Sequence, residues 1–262
     1  MNRIKLMIVD SQPIFSLRVR QALSLENRTE EIEVLECSPS DDDNNAIIQI
    51  AANLPDIVLL DIGYPILNGL NTCKIIARTF PETGIIILST NPADDDDELF
   101  EVVKSGAVAY LRIKHLHGAE LTGIIKQIFN GEHPLSNSVS NRPKVARRIL
   151  GQLQDMSYTA STTEGIVSSL TYEERQTLTF IAEGNSTELI AEILGISEHT
   201  VTDRVISIID KLNANDRAYN MLKKVRNGLL SIRLARDGNL FILNTMRSSC
   251  QLYPLLDSPR HI

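Results

Sequence analysis

Apolar residues run in short, nearly unbroken stretches through the first half of the chain: IKLMIV (4–9), IEVLEC (32–37), DIVLLD (56–61), GIIILS (84–89) and AVAYLRI (107–113). Runs of this length suit strands covered on both faces. Between them, apolar residues return every three or four positions at 13–25, 44–53, 69–79, 95–105 and 117–130. That spacing belongs to helices with one buried stripe. Five strands alternating with five helices predict an α/β domain built on a doubly wound, five-stranded parallel sheet. Ligands of such sheets bind at the carboxyl ends of the strands. Asp10 closes the first strand and Asp61 the third, so both carboxylates project into one crevice.

The pattern changes after Gly131. Residues 134–169 hold turn formers, one predicted helix at about 142–156 and a Ser/Thr-rich stretch, and read as a linker with a helix inside it. From Leu170 the periodicity is helical. Thr171 and Glu174 have the spacing of a capping box. STELIAEILGI and SEHTVTDRVISIIDKL are two helical patterns on either side of Gly195, the layout of a helix-turn-helix. A further helix is expected over 215–229. In SIRLARDGNLFIL, Asp237-Gly238 between two apolar runs signals a hairpin. The other reading carries the last helix on to about 235, with the tail packed against it.

Composition narrows the class. The 262 residues are 43% hydrophobic and include no Trp, as suits a globular chain of two domains with an aliphatic core. No apolar run nears the roughly 20 residues of a membrane span, and the start, MNRIKLMIVD, lacks the apolar core of a signal peptide. Cys37, Cys73 and Cys250 have no metal spacing and read as buried apolar residues. These features predict a cytoplasmic protein with no membrane partner. Charge is uneven. Residues 1–133 carry 11 basic and 20 acidic side chains, residues 134–156 are net +3, and residues 157–262 are net −1. The acidic runs Asp41–Asp43 and Asp94–Asp97 lack calcium-loop spacing and read as solvated loops. The five His are scattered, and neither a Ser-His-Asp, a Cys-His nor a dinucleotide-loop constellation is present. No enzyme is expected.

The segments IVDSQPIF, PDIVLLDIGYPILNGL, IIILST and KSGAVAYL, followed by LTYEERQTLTFIAEGNSTELIAEILGISEHTVTDRVISIIDKLNANDRA, resemble the NarL/FixJ class of response regulators. The resemblance reaches from residue 1 to about 232. It implies a receiver domain over 1–133, the linker over 134–169, a LuxR-type helix-turn-helix domain over 170–232 and a C-terminal extension over 233–262. It also implies that Asp61, with Pro65 and Gly69 at their family positions, is the phosphoacceptor. Asp10, Asp61 and the main-chain carbonyl of Gly63 would hold Mg²⁺. Ser89 and Tyr110 would couple phosphorylation to conformation. A sensor histidine kinase, DNA and a second copy of the chain are the implied partners.

Two positions depart from the family pattern. Ser11 stands where a second acid is usual, and Ile113 where a Lys is usual, with Lys114 one place later. Mg²⁺ is commonly held by one or two carboxylates, waters and the phosphate, so the remaining acids meet the minimum. The lost charge-assisted contact to phosphate is worth about 1.5–3 kcal/mol. A receiver with weak Mg²⁺ affinity, or none, is therefore expected, either poorly phosphorylated or phosphorylation-independent.

On the recognition helix, Val201, Val205, Ile208 and Leu212 form the inward stripe. His199, Thr200, Thr202, Asp203, Arg204, Ile206, Lys211 and Arg217 are the expected DNA-facing set. The function these features imply is a DNA-binding transcriptional response regulator. The alternative is a receiver-based interaction module that has lost DNA binding, for which Asp203, the missing Lys at Thr202 and the C-terminal extension speak.

Overall fold

The computed structural model describes residues 3–10, 13–26, 31–36, 43–62, 69–91, 95–160, 170–226, 230–234, 240–244 and 253–254. Strands β1 (Ile4–Val9), β2 (Ile32–Glu36), β3 (Ile57–Asp61), β4 (Gly84–Ser89) and β5 (Ala109–Arg112) alternate with helices α1 (Pro13–Glu26), α2 (Asp43–Asn53), α3 (Gly69–Thr79), α4 (Asp96–Val103) and α5 (Gly118–Phe129). The sheet order is β2-β1-β3-β4-β5 and every pairing is parallel. Side chains alternate across it. Leu6, Ile8, Ile57, Leu59, Ile86 and Leu88 face a cluster containing Val19 and Leu23 of α1 and Leu121 and Ile125 of α5. Met7, Val9, Val58, Leu60, Ile85 and Ile87 face the opposite cluster.

That opposite cluster does not stop at the sheet. It runs through Leu99, Val102 and Val103 of α4 to α6 (Leu135–Ser140) and α7 (Pro143–Ala160). From there it continues through Leu178 and Ile181 of α8 (Tyr172–Glu183), Ile190 of α9 (Thr187–Leu194) and Val201, Val205 and Leu212 of α10 (Glu198–Arg226). The stretch expected as a linker thus holds two helices. Leu135, Val139, Val145, Ala146 and Ile149 are each 0–1% exposed, so the apolar stripe of α7 is spent on packing. Its basic side is also used. Arg142 and Lys144 pair with Asp96, and Arg148 pairs with Asp97. Those acids, expected to be solvated, sit in the first turn of α4, where Asp95 caps the helix through the Asp97 amide at 2.8 Å. The basic bridge read from the sequence neutralises them.

The chain divides into two compact units, one of residues 1–155 with 169–213 and one of 156–168 with 214–262. In the first, Thr171 and Glu174 form the predicted capping box. Gly184 and Gly195 end α8 and α9 in left-handed conformations, at φ 96° and 64°, which glycine adopts without steric cost. The recognition helix and the expected last helix are one element, Glu198–Arg226. The join at Asn213-Ala214-Asn215 contains neither Gly nor Pro, and Asn lowers helix propensity only modestly. In the second unit, Leu230–Leu234 (β6) pairs antiparallel with Leu240–Asn244 (β7), and β7 pairs with Tyr253–Pro254 (β8). Of the two readings of the tail, the hairpin is the observed one, although Asp237-Gly238 itself lies outside the described residues.

Candidate functional site

Parallel pairing sets the pocket. Val9 of β1 lies opposite Leu60 of β3, and each strand ends in a carboxylate at the next position, Asp10 and Asp61. Asp61 is 2% exposed and Asp10 half-buried. Two carboxylates at neighbouring strand ends suit a hard, oxygen-seeking dication that keeps several waters. Among the described residues no cluster of three or more His, Cys, Asp or Glu is positioned to hold a metal. Ser11, Gly63 and Pro65 lie outside the described residues. Gly69 opens α3 against the pocket. A Cβ there would lie 2.6 Å from the main-chain oxygen of Asp61, so only glycine lets the helix start so close.

At the end of β5 the strand stops at Arg112, and Ile113–His115 forms a 3-10 turn. Ile113 packs against the α1/α5 cluster, and Lys114 is exposed. The position where the resemblance calls for a cation is therefore an apolar contact.

Ser89, fully buried at the end of β4, accepts the Asn91 amide at 3.0 Å. The Asn91 side-chain amide donates to Glu98 Oε2 at 3.1 Å, and the Tyr110 hydroxyl donates to Glu98 Oε1 at 2.8 Å. Burial first, then the bond to Glu98, push the Tyr110 phenol up to about 12, against smaller opposing effects of Ser89 and Arg112. Tyr110 therefore stays a donor at any physiological pH. Glu98 and Asn91 escaped the sequence reading. The only trace of Glu98 there was its place in the first turn of a helix entered by acids. Cys73 donates to Ser105 at 3.3 Å, and burial pushes its thiol up to about 12, so it is inert.

In the helix-turn-helix, the buried Glu174 carboxylate receives Lys211 Nζ at 2.6 Å and Ser207 Oγ at 2.7 Å, and also closes the capping box. Burial alone would raise this carboxyl. The bonds from Lys211, Ser207 and the Thr171 amide together outweigh it and hold the group below its ordinary value. Arg204 reaches the Thr177 hydroxyl at 3.3 Å. Two of the basic residues expected to face DNA thus fix α10 to α8. Thr200 donates its amide to the Ser197 hydroxyl at 3.0 Å, and Thr202 bonds back to the Glu198 carbonyl at 3.1 Å. Ile206 is half-buried. His199 and Asp203 meet on the exposed side of the helix. Arg217 lies on α10, but its side chain is outside the described residues.

Comparison with known proteins matches two separate segments of the chain. Residues 6–126 match the response regulator receiver domain, and residues 168–223 match the luxR family of bacterial regulatory proteins. The transcriptional regulatory protein DegU of Brevibacillus brevis is 29% identical over 237 residues, covering 88% of this chain and 97% of its own. The transcriptional regulatory protein LiaR of Bacillus subtilis (strain 168) is 31% identical over 190 residues, covering 72% and 84% respectively. Among solved structures, the RcsB response regulator of Salmonella typhimurium aligns with 21% identity and a TM-score of 0.43, over 85% of this chain and 99% of that one.

Proposed function

The chain belongs to the response regulators with a LuxR-type helix-turn-helix domain, and from that premise we propose how its two halves work as a transcription regulator. It is a DNA-binding regulator of the two-component type. Where the receiver is phosphorylated, the acceptor is Asp61. A carboxylate oxygen of Asp61 attacks the phosphorus of a donor, either a phosphohistidine on a sensor kinase or a small acyl phosphate. The new P–O bond forms as the bond to the donor breaks. Asp10, Asp61 and the Gly63 carbonyl would hold Mg²⁺, which when bound neutralises charge on the phosphoryl oxygens. With Ile113 in place of a cation and Ser11 in place of an acid, the acyl phosphate is weakly held. The receiver is then slow to load or works mainly through binding partners.

Ser89 meets the phosphoryl group, and its hydroxyl is one link from Glu98 through Asn91. Glu98 also holds Tyr110. Because α4 carries Glu98 beside Asp96 and Asp97, movement at Ser89 reaches Arg142 and Arg148 of α7, and through α7 the packing of α8. A duplex is gripped by α10 with its companion helices, and two copies pair to double the contacts. Among the described residues no helix is long and apolar enough to cross a membrane, which suits a regulator working in the cytoplasm. The observation carrying the phosphoacceptor role is the placement of Asp10 and Asp61 at the ends of adjacent parallel strands. Intact mass after incubation with acetyl phosphate and Mg²⁺ tests it. A gain of one phosphoryl group, absent in Asp61→Ala, is the expected result. A gain that persists in Asp61→Ala would place the acceptor elsewhere.

A further inference from the structure

Most polar side chains on the recognition helix are already committed. Thr202 bonds to its own helix, Ser197 and Thr200 hydroxyls meet at 2.8 Å, Arg204 holds Thr177, and Ser207 and Lys211 hold Glu174. His199 and Asp203 stand apart from this set. They lie one turn apart in the N-terminal part of the helix, with side chains 85% and 57% exposed and Nδ1 2.8 Å from Oδ2. The N-terminal residues of a recognition helix are the ones that reach base edges in the major groove.

We infer that His199 and Asp203 form one base-reading unit, in which Asp203, held by His199, recognises cytosine in the major groove. The inference rests on the DNA-binding reading of this helix and adds the base that it selects. With its proton on Nδ1, His199 donates to Oδ2 of Asp203 and fixes the carboxylate's orientation. Oδ1 keeps acceptor capacity for a donor outside the protein. A carboxylate can only accept. Of the major-groove edges, cytosine offers the N4 amino donor, whereas guanine N7 and O6 and thymine O4 are acceptors that a carboxylate repels, and adenine sets an N7 acceptor beside its N6 donor. The imidazole N–H also offsets charge that would otherwise face the phosphates. An ordinary pair of helix-surface residues, one turn apart, would have no bearing on base preference, and that difference is measurable.

The full chain is mixed with duplexes carrying a randomised half-site. Bound duplexes are sequenced, and affinities are read by fluorescence anisotropy at low salt. One position is expected to be fixed as C·G, with T·A there binding roughly 5- to 150-fold more weakly. Asp203→Asn moves that position to A·T, because an amide pairs bidentately with adenine N6 and N7. His199→Ala keeps cytosine but narrows the discrimination. Both side chains are on the surface, and a melting curve for each variant checks that the fold is retained. Selection of the same base, with the same discrimination, by the parent chain and Asp203→Asn overturns the inference while leaving DNA binding intact. Failure of the parent chain to bind any duplex at low salt overturns the DNA-binding reading and this inference together.

Discussion

Glu174 shows how one side chain sets the geometry of the DNA-binding half. It caps α8 through Thr171 and receives both Ser207 and Lys211 from α10. Because its carboxyl is held below the ordinary value, the stability it contributes is present above the unfolded value of about 4.3 and is lost as pH falls through the folded value. Urea titrations at descending pH should show this loss in the parent chain, and a shallower acid slope in Glu174→Gln. Lys211→Met leaves the buried carboxylate without its counter-charge, held only by Ser207 and the Thr171 amide, and should cost about 3 kcal/mol at neutral pH, read from the same titrations. Gly69→Ala makes a different test. Its Cβ would collide with the Asp61 main-chain oxygen, so a loss of about 1–3 kcal/mol is expected, together with slower phosphorylation as α3 is pushed from the pocket. Unchanged stability would mean that α3 can shift without disturbing Asp61.

Individual elements differ in how readily the sequence discloses them. Strands β1 and β4 coincide with the apolar runs at 4–9 and 84–89, because a strand buried on both faces reads as a nearly continuous apolar run, here interrupted only by Lys5 and closed by Ser89. The run at 107–113 is shorter as a strand, ending at Arg112, since Ile113 enters a tight turn while still reaching the core. The apolar stripe of α7 was visible, but its partner was not. Which surface covers a stripe depends on contacts distant in sequence, and the pairing of Arg142 with Asp96 spans 46 residues. Likewise, the outward periodicity of α10 could not reveal that Lys211 and Arg204 turn to α8. Their partners Glu174 and Thr177 belong to another helix, 37 and 27 residues away. The packing role of α7 is testable through Ile149, which is fully buried. Ile149→Ala should cost about 2–5 kcal/mol, against no more than about 0.5 kcal/mol at an exposed linker position. Thermal or urea unfolding reads the difference.

On the scale of the whole molecule, an acidic α/β half and a nearly neutral helical half are brought to bear on a polyanion. Fold class and the placement of Asp10 and Asp61 were legible because β1 and β3 end where their apolar runs end. The relay through Asn91 and Glu98 was not, because it depends on side-chain reach across a loop and a helix. Among the described side chains of α10, the basic Arg204 and Lys211 bond to α8, so the salt dependence of DNA affinity should be shallower than if both met phosphates. DNA binding is tested most directly by fluorescence anisotropy of a labelled duplex titrated with the full chain at several salt concentrations. Saturable binding is expected, with the logarithm of the affinity falling linearly with the logarithm of salt and steepening where two copies bind together. No binding at the lowest salt, with the chain folded, would mean that this protein does not act on DNA.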